Sequence, residues 1–420
     1  MVQLTDDCFR GDERLMPLDE ALDLLAERIV PVVEQESVPL VSAAGRVLAE
    51  DIVSTRNVPP HDNSAVDGYV VRHADLPESG ELELEIIDRA AAGHPATASI
   101  GAGQAIRIFT GAATPEGGDS IFMQEDTQAS EDGTKVIVPA GLKSGANYRK
   151  AGEDISVGDV ILSKGRRLRP QDLGLAASIG TETVQVFRQL RAAIFSTGDE
   201  VREPGQPLAV GDIYDANRFI LRGLVEKLGV AVTDLGILPD DEPTIRDALD
   251  RASRDHDVIL TSGGVSVGEE DHIKPAVEAL GSLHFWRLAV KPGRPVALGQ
   301  VGKVPFVGLP GNPAAAMVTF LRFARPMILQ LAGDAKTAPL IVRVASAFKH
   351  KKKEGRREWV RASILTDNNG MPTAQKFPRE GAGVLSSISG SDGLVELPEE
   401  MTQLEPGDMV DFISFNEVGA

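Results

Sequence analysis

DVILTSGGVSVGEEDHIKP, residues 257–275, reads as a buried strand from Val258 to Thr261 running into a glycine-rich loop and then a helix. An apolar run this short suits a parallel strand covered by helices on both faces. Polarity changes at Thr261. Ser262, Gly263, Gly264, Ser266 and Gly268 leave backbone N–H groups open, which suits a nest for phosphate or another anion. Glu269, Glu270 and Asp271 follow. Acids beside such a loop repel an anion unless a cation lies between them, so the pairing points to a phosphorylated ligand carried with Mg2+. A solvated helix start explains the same acids equally well.

From about Arg191 strands alternate with helices. The candidate strands are AAIFST, VAVTDLGI, DVILTS, HFWRLAV and PFVGLP, and the candidate helices are 215–228, 242–254, 270–280 and 312–332. This alternation implies βαβ units and a doubly wound parallel sheet, with ligand-binding groups at the carboxyl ends of the strands. The polar clusters fall there: Thr197 to Glu200, Asp240-Asp241, Ser262 to Gly264, Lys291 to Arg294 and Gly311-Asn312.

On the amino-terminal side, residues 17–32 carry Leu18, Ala21, Leu22, Leu25 and Ile29 at helical spacing behind Pro17. Short runs such as ELELEII, AIRIFT and TKVIVP, separated by glycine and proline, make residues 53–154 a β-rich insert. LRPQDLGLAASIG then has Pro170 at a helix start and Gly180 at its stop. After Gly333, alternating runs such as LIVRVAS, EWVRASIL and GLVELP predict a small β-barrel or sandwich. The basic run KHKKKEGRRE at 349–358 reads as a solvated hairpin end.

The division expected is a linking α+β unit from 16–52 and 155–190, the insert at 53–154, the α/β domain at 191–333 and the barrel at 334–420. A chain of 420 residues supports two to four domains. Its net charge of −19 leaves no phosphate-neutralising excess for sequence-independent nucleic-acid binding. The lone Cys8 excludes an intramolecular disulfide and a thiolate cluster, and suggests a reducing compartment. With no signal peptide and no run of about 18 apolar residues, the chain reads as cytoplasmic and without a membrane span.

The chemistry left is acids plus cations. Asp199 and Glu200 would face the Ser262–Gly264 nest if their strands are neighbours, and Asp240 would join them from a third strand. A helix cap accounts for one of Asp240 and Asp241. Arg287, Lys291 and Arg294 around a Pro-Gly turn suit an oxyanion such as phosphate or molybdate, or are the charged flanks of a surface hairpin. Gly311 and Asn312 open a helix at Pro313, whose free N–H groups favour an anion. Asp67 stands in an extended loop of the insert and Thr110 at the end of one of its strands. There is no Ser-His-Asp set, histidine metal spacing, GxGxxG fingerprint or Walker loop.

PPHDNSAVDGYVVR, RIFTGAATPEG, AGEDI, FSTGDE, IYDANR, TSGGVSVGEEDHIK, FWRLAVKPGRP and GLPGNP, in this order, resemble the molybdopterin molybdenumtransferase family, the molybdenum insertases that include the E domain of gephyrin. The resemblance implies a four-domain chain, a homodimer whose partner subunit closes the pocket, and insertion of molybdenum from molybdate into adenylylated molybdopterin with Mg2+-dependent release of AMP. By matching position it implies catalytic roles for Asp67, Thr110, Asp154, Glu200, Asp240, Asp271, Arg287 and Lys291, with Mg2+ near Glu200 and Asp271. Ser262, Gly263, Gly264, Ser266, Arg294, Gly311 and Asn312 would bind substrate, joined by Arg361 and by Ser386 or Ser387. Many relatives carry lysine where Arg287 and Arg294 stand, a departure that keeps charge and changes donor geometry. A molybdopterin adenylyltransferase would supply the substrate. That enzyme and a receptor-binding scaffold are the rival readings. The insert and the carboxyl-terminal barrel favour the insertase over the first, and the absence of an appended second pterin-binding domain weighs against the second.

Overall fold

The computed structural model describes residues 15–264, 272–293 and 295–418. Cys8, Ser266, Asp271 and Arg294 lie outside the described residues.

The central sheet has six strands: β1 (Arg191–Thr197), β2 (Ala231–Leu238), β3 (Val258–Ser262), β4 (Gly281–Arg287), β5 (Pro295–Val301) and β6 (Val304–Leu309). Their order is β2-β1-β3-β6-β5-β4. β1, β2, β3 and β6 are mutually parallel, whereas β5 runs antiparallel to both β6 and β4. The five strands expected from the sequence run in one direction, and β5, which the sequence reading did not separate out, is reversed. The cause is local: Val301 pairs with Val304 across Gly302 and Lys303, and a two-residue connection can only return antiparallel. β4 nevertheless points the same way as β6, so Arg287 ends at the same edge as Thr197 and Ser262.

Alternation along β1 explains the double winding. Ala192 and Ile194 pack with Leu221, Leu224 and Val225 of α1 (Asn217–Lys227), while Ala193 and Phe195 pack with Ile245 and Leu249 of α2 (Glu242–Asp255) and Ile273 of α3 (Ile273–Glu278). The chain leaves β1 toward β2 and then returns across it to β3. The switch point therefore lies between β1 and β3, where open α/β sheets hold ligands.

The helix after β6, Pro313–Leu331, covers the α1 face. It is long and apolar enough to cross a membrane, yet 89% of its most apolar window is buried inside the protein. Its middle, Phe320–Ala324, widens to a π-type turn just before Pro326. Proline has no N–H to offer the carbonyl four residues back and its ring crowds that group, so the wider turn relieves a conflict at Arg322.

The helix Leu18–Arg28 buries Leu18, Ala21 and Leu25 in the same core, and Gln330 Nε2 donates to its end at Ala26 and Ile29. Strand Gln35–Pro39 pairs with Thr183–Phe187, and Ile52–Val53 with Val160–Leu162. Between these pairings the chain forms its own six-stranded sheet with an apolar cluster on each face. After the long helix, Val342–Ser346, Arg357–Thr366, Pro372–Lys376, Gly393–Leu397 and Met409–Ser414 pair in a closed ring, a small barrel. Val290–Lys291, beyond β4, adds in parallel to the outside of that barrel along Arg357 and Glu358.

Candidate active site

At the switch point a cavity of about 100 Å³ is lined by Ser196, Thr197, Glu200, Asn217, Ser262, Gly263, Gly311 and Pro313, among others. Parallel pairing sets Ser196 beside Ser262 and brings the ends of β1 and β3 together. Glycine is required where the loops close. Gly264 has φ +60°, and a Cβ there would lie 2.5 Å from Ile273 Cδ1 and 2.8 Å from Thr197 Cγ2. At Gly198, φ +140°, a Cβ would lie 2.6 Å from Glu200 Oε2.

Asn217 ties the loops to one another. Its Nδ2 donates to Ser262 Oγ and to the Gly311 carbonyl, both at 2.7 Å, and Ser262 Oγ donates to the Pro310 carbonyl at 3.1 Å. Asn217 Oδ1 and Ser196 Oγ are buried with no partner among the described residues. Behind Asn217, buried Arg218 donates to Asp215 at 2.9 Å, Asp234 at 2.5 Å and Glu203 at 2.5 and 2.6 Å, which fixes the segment between β1 and α1. Asn217, Arg218 and Asp215 lie in the IYDANR stretch without being named individually in the sequence reading, and Asp234 and Glu203 lie outside it.

Asp240 accepts from Thr197 Oγ1 at 3.3 Å. Burial raises its carboxyl above the usual range, and the charges of Asp199 and Glu200 push the same way. Asp241 is the helix cap, accepting from Thr244 N at 3.0 Å. Among the described residues no group of three or more His, Cys, Asp or Glu forms a metal site.

A second cavity, of about 180 Å³, lies between the turn after β4 and the barrel, lined by Lys291, His350, Glu358, Arg361, Lys376 and Arg379 among others. Glu358 accepts from Lys291 Nζ at 2.7 Å and from His350 Nε2 at 2.9 Å. Burial alone would raise its carboxyl, but these two donors outweigh it and bring the pKa down to about 2. Lys376 Nζ lies 3.1 Å from His350 Nδ1 and also meets Glu380. Arg361, nine-tenths buried, donates to two neutral oxygens, Ser387 Oγ and the Gly381 carbonyl, each at 3.1 Å. Burial pushes its guanidinium pKa down, a cost that an anion in the cavity would relieve.

One segment links the cavities. Gly381 and Ala382 line the second, and the Ala382 carbonyl accepts from Ala314 N at 2.9 Å, in the first turn of the helix whose Gly311 and Pro313 line the first. One of the N–H groups expected to be free for an anion is therefore taken by the barrel.

The structure thus gathers Glu200, Ser262, Gly263 and Gly311 in one cavity, with Asp240, Gly264 and Asn312 next to it, and Lys291 with Arg361 in the other. Ser387 rather than Ser386 meets Arg361; the Ser386 side chain is exposed. Arg287 is exposed and lines neither cavity, while its carbonyl accepts from Met16 N at 2.9 Å. Asp67, Thr110 and Asp154 also line neither. Asp67 Oδ1 accepts from both Thr110 N and Thr110 Oγ1 at 2.8 Å, and exposed Asp154 donates its N–H to Val58 O. Lys349 and the middle of the basic run at 349–358 are solvated, whereas His350 and Glu358 are buried at the second cavity.

Three family models match the chain in series: the MoeA N-terminal region (domain I and II) at 16–180, a probable molybdopterin binding domain at 193–330, and the MoeA C-terminal region (domain IV) at 343–415. The chain is 39% identical to the molybdopterin molybdenumtransferase of Haemophilus influenzae, over 96% of this chain and 100% of that one. It is 36% identical to the protein of the same name from a Nostoc species, over 89% and 87%. The crystal structure of the molybdopterin biosynthesis moeA protein from Pyrococcus horikoshii OT3 superimposes with a TM-score of 0.82 at 32% identity, covering 96% of this chain and 100% of that one. On identity of this extent, over a shared fold, the chain belongs to the molybdopterin molybdenumtransferase (MoeA) family, enzymes of molybdenum cofactor biosynthesis.

Proposed function

We propose that the chain inserts molybdenum from molybdate into adenylylated molybdopterin and releases AMP. The observation that carries this reading is the pairing of two unlike cavities, one with acids and glycine-rich loops, one cationic, joined through Ala382 and Ala314. An adenylylated pterin needs the first kind of surface for its phosphates and molybdate needs the second.

The oxygen donors at the first cavity suit a hard cation, and Glu200 and Asp271 would hold Mg2+. When bound, Mg2+ supplies neutralisation of charge at a phosphoanhydride. The chain's own groups do the rest. The Ser262–Gly264 loop, whose Gly263 N–H is taken by the Leu309 carbonyl at 3.1 Å, borders the phosphate together with Ser266 and the Gly311-Asn312 turn. Asn217 holds the two loops at a fixed separation, and its open Oδ1 takes a ligand donor. Asp240, whose carboxyl pKa is raised by burial, takes up a proton more readily than an exposed aspartate. Lys291 and Arg361, with Arg294, hold the oxyanion, Arg287 remaining outside the cavity; of Ser386 and Ser387, Ser387 is the one that accepts from Arg361 and orients it.

Asp67, Thr110 and Asp154 reach the pocket from a partner subunit in a homodimer. The surroundings are cytoplasmic, and a molybdopterin adenylyltransferase delivers the substrate. To test this reading, the protein is incubated with adenylylated molybdopterin, Mg2+ and molybdate, and metal per pterin is measured after desalting. Wild type should yield molybdenum-bearing pterin and Lys291→Ala/Arg361→Ala should not; metal-free pterin from the wild type contradicts the reading.

A further inference from the structure

A third cavity, much larger at about 840 Å³, opens on the far side of the long helix, where the linking segment, α1 and the carboxyl-terminal tail meet. Seven of its lining residues are Lys or Arg and two, Asp334 and Glu417, are acids. In a chain of net charge −19 such a concentration is not a consequence of composition.

Part of this charge has a structural use. Arg166 and Arg169 pair with Asp172 in the first turn of helix Pro170–Ser178, and Arg167 pairs with Asp334 at 2.6 Å. Four cations remain, brought in from separate stretches of chain. Lys227 ends α1, Lys336 follows the long helix, and Lys164 lies 5.7 Å over the Phe187 ring; none of these ammonium groups has a carboxylate partner among the described residues. Arg325 is only 8% exposed, donates through Nη1 to the Thr337 carbonyl at 2.9 Å, and leaves its buried Nε without a partner. Glu417 accepts from Leu340 N and, with Asp334, attracts Arg325 electrostatically, so the cleft sets two acids against seven cations.

Like charges converging around a buried donor repel one another unless an anion lies among them. Leu228, Leu329 and Val418 give the same cavity an apolar floor, and its size falls in the range of small-molecule sites, roughly 300–1,000 Å³. We propose that this cleft is a second anion site that binds a phosphorylated small molecule of nucleotide size, separate from the two cavities at the carboxyl edge of the sheet.

The test uses inorganic tripolyphosphate as the probe, titrated calorimetrically into the full-length protein. Saturable binding is expected, weakened about ten-fold or more in Lys227→Ala/Lys336→Ala, consistent with loss of two charge-assisted phosphate contacts, and unchanged in Lys291→Ala. Both lysines are exposed, so thermal unfolding of the double variant should match wild type. No binding by the wild type overturns the proposal. So does binding lost in Lys291→Ala but kept in the double variant. A change in oligomeric mass in the double variant, without tripolyphosphate binding by the wild type, would assign the cleft to a second copy of the chain and likewise overturn it.

Discussion

Lys291 Nζ and the Glu358 carboxylate lie 2.7 Å apart, one on the turn leaving the central sheet and the other on the barrel. This contact, with the strand pairing of Val290–Lys291 along Arg357 and Glu358, fixes the cationic cavity at the seam of the two units.

Glu358 should make stability depend on acid. Its folded pKa of about 2 lies below its ordinary value of 4.5, so its contribution is present above about pH 4.5 and is lost as pH falls toward 2. Glu358→Gln should unfold at a lower temperature than wild type at pH 6, and the gap should narrow between pH 4.5 and 3. Parallel melting curves across that range would dismiss the linkage.

Glu396 accepts from Trp359 Nε1 at 2.7 Å and from buried Arg322 at 3.0 Å. Glu396→Ala leaves that guanidinium buried and unpaired, and should lower the unfolding free energy in urea by about 3–5 kcal/mol. Arg322→Met/Glu396→Leu should lose less than Glu396→Ala alone.

Gly264→Ala should damage the cavity at the switch point rather than the whole fold. At φ +60° with Ile273 and Thr197 in the way of a Cβ, the loop must move, at a cost of about 1–3 kcal/mol. Turnover should drop at least ten-fold, while the protein keeps a cooperative unfolding transition; wild-type activity would show that the loop backbone takes no part.

If partner subunits share each pocket, Asp67→Asn and Glu200→Gln should each be inactive, and co-refolding the two should restore about a quarter of wild-type activity, through heterodimers with one intact pocket. No recovery on mixing would place both residues in one chain's pocket.

Sequence patterning carried much of this arrangement because it is local. The apolar runs at 192–197 and 258–262 and the polar residues after them follow directly from strand and loop chemistry, and their adjacency follows from double winding. β5 escaped because PVALGQV lies between a Pro-Gly turn and Gly302 and reads as a connection until its partners are seen. Glu358 and His350 were hidden for a related reason. They sit in a basic, solvent-like run, and only closure of the barrel against Lys291 buries them. Asn217 gave no signal of its own, since a lone Asn before a helix looks like a cap; its role comes from two loops about 45 and 94 residues away.

The most direct measurement is AMP release from adenylylated molybdopterin and Mg2+, followed with and without molybdate. Release by the wild type that depends on molybdate, and that falls away in Lys291→Ala/Arg361→Ala, is the predicted result. AMP released at the same rate without molybdate would contradict coupling between the two cavities and leave a simple phosphoanhydride hydrolase.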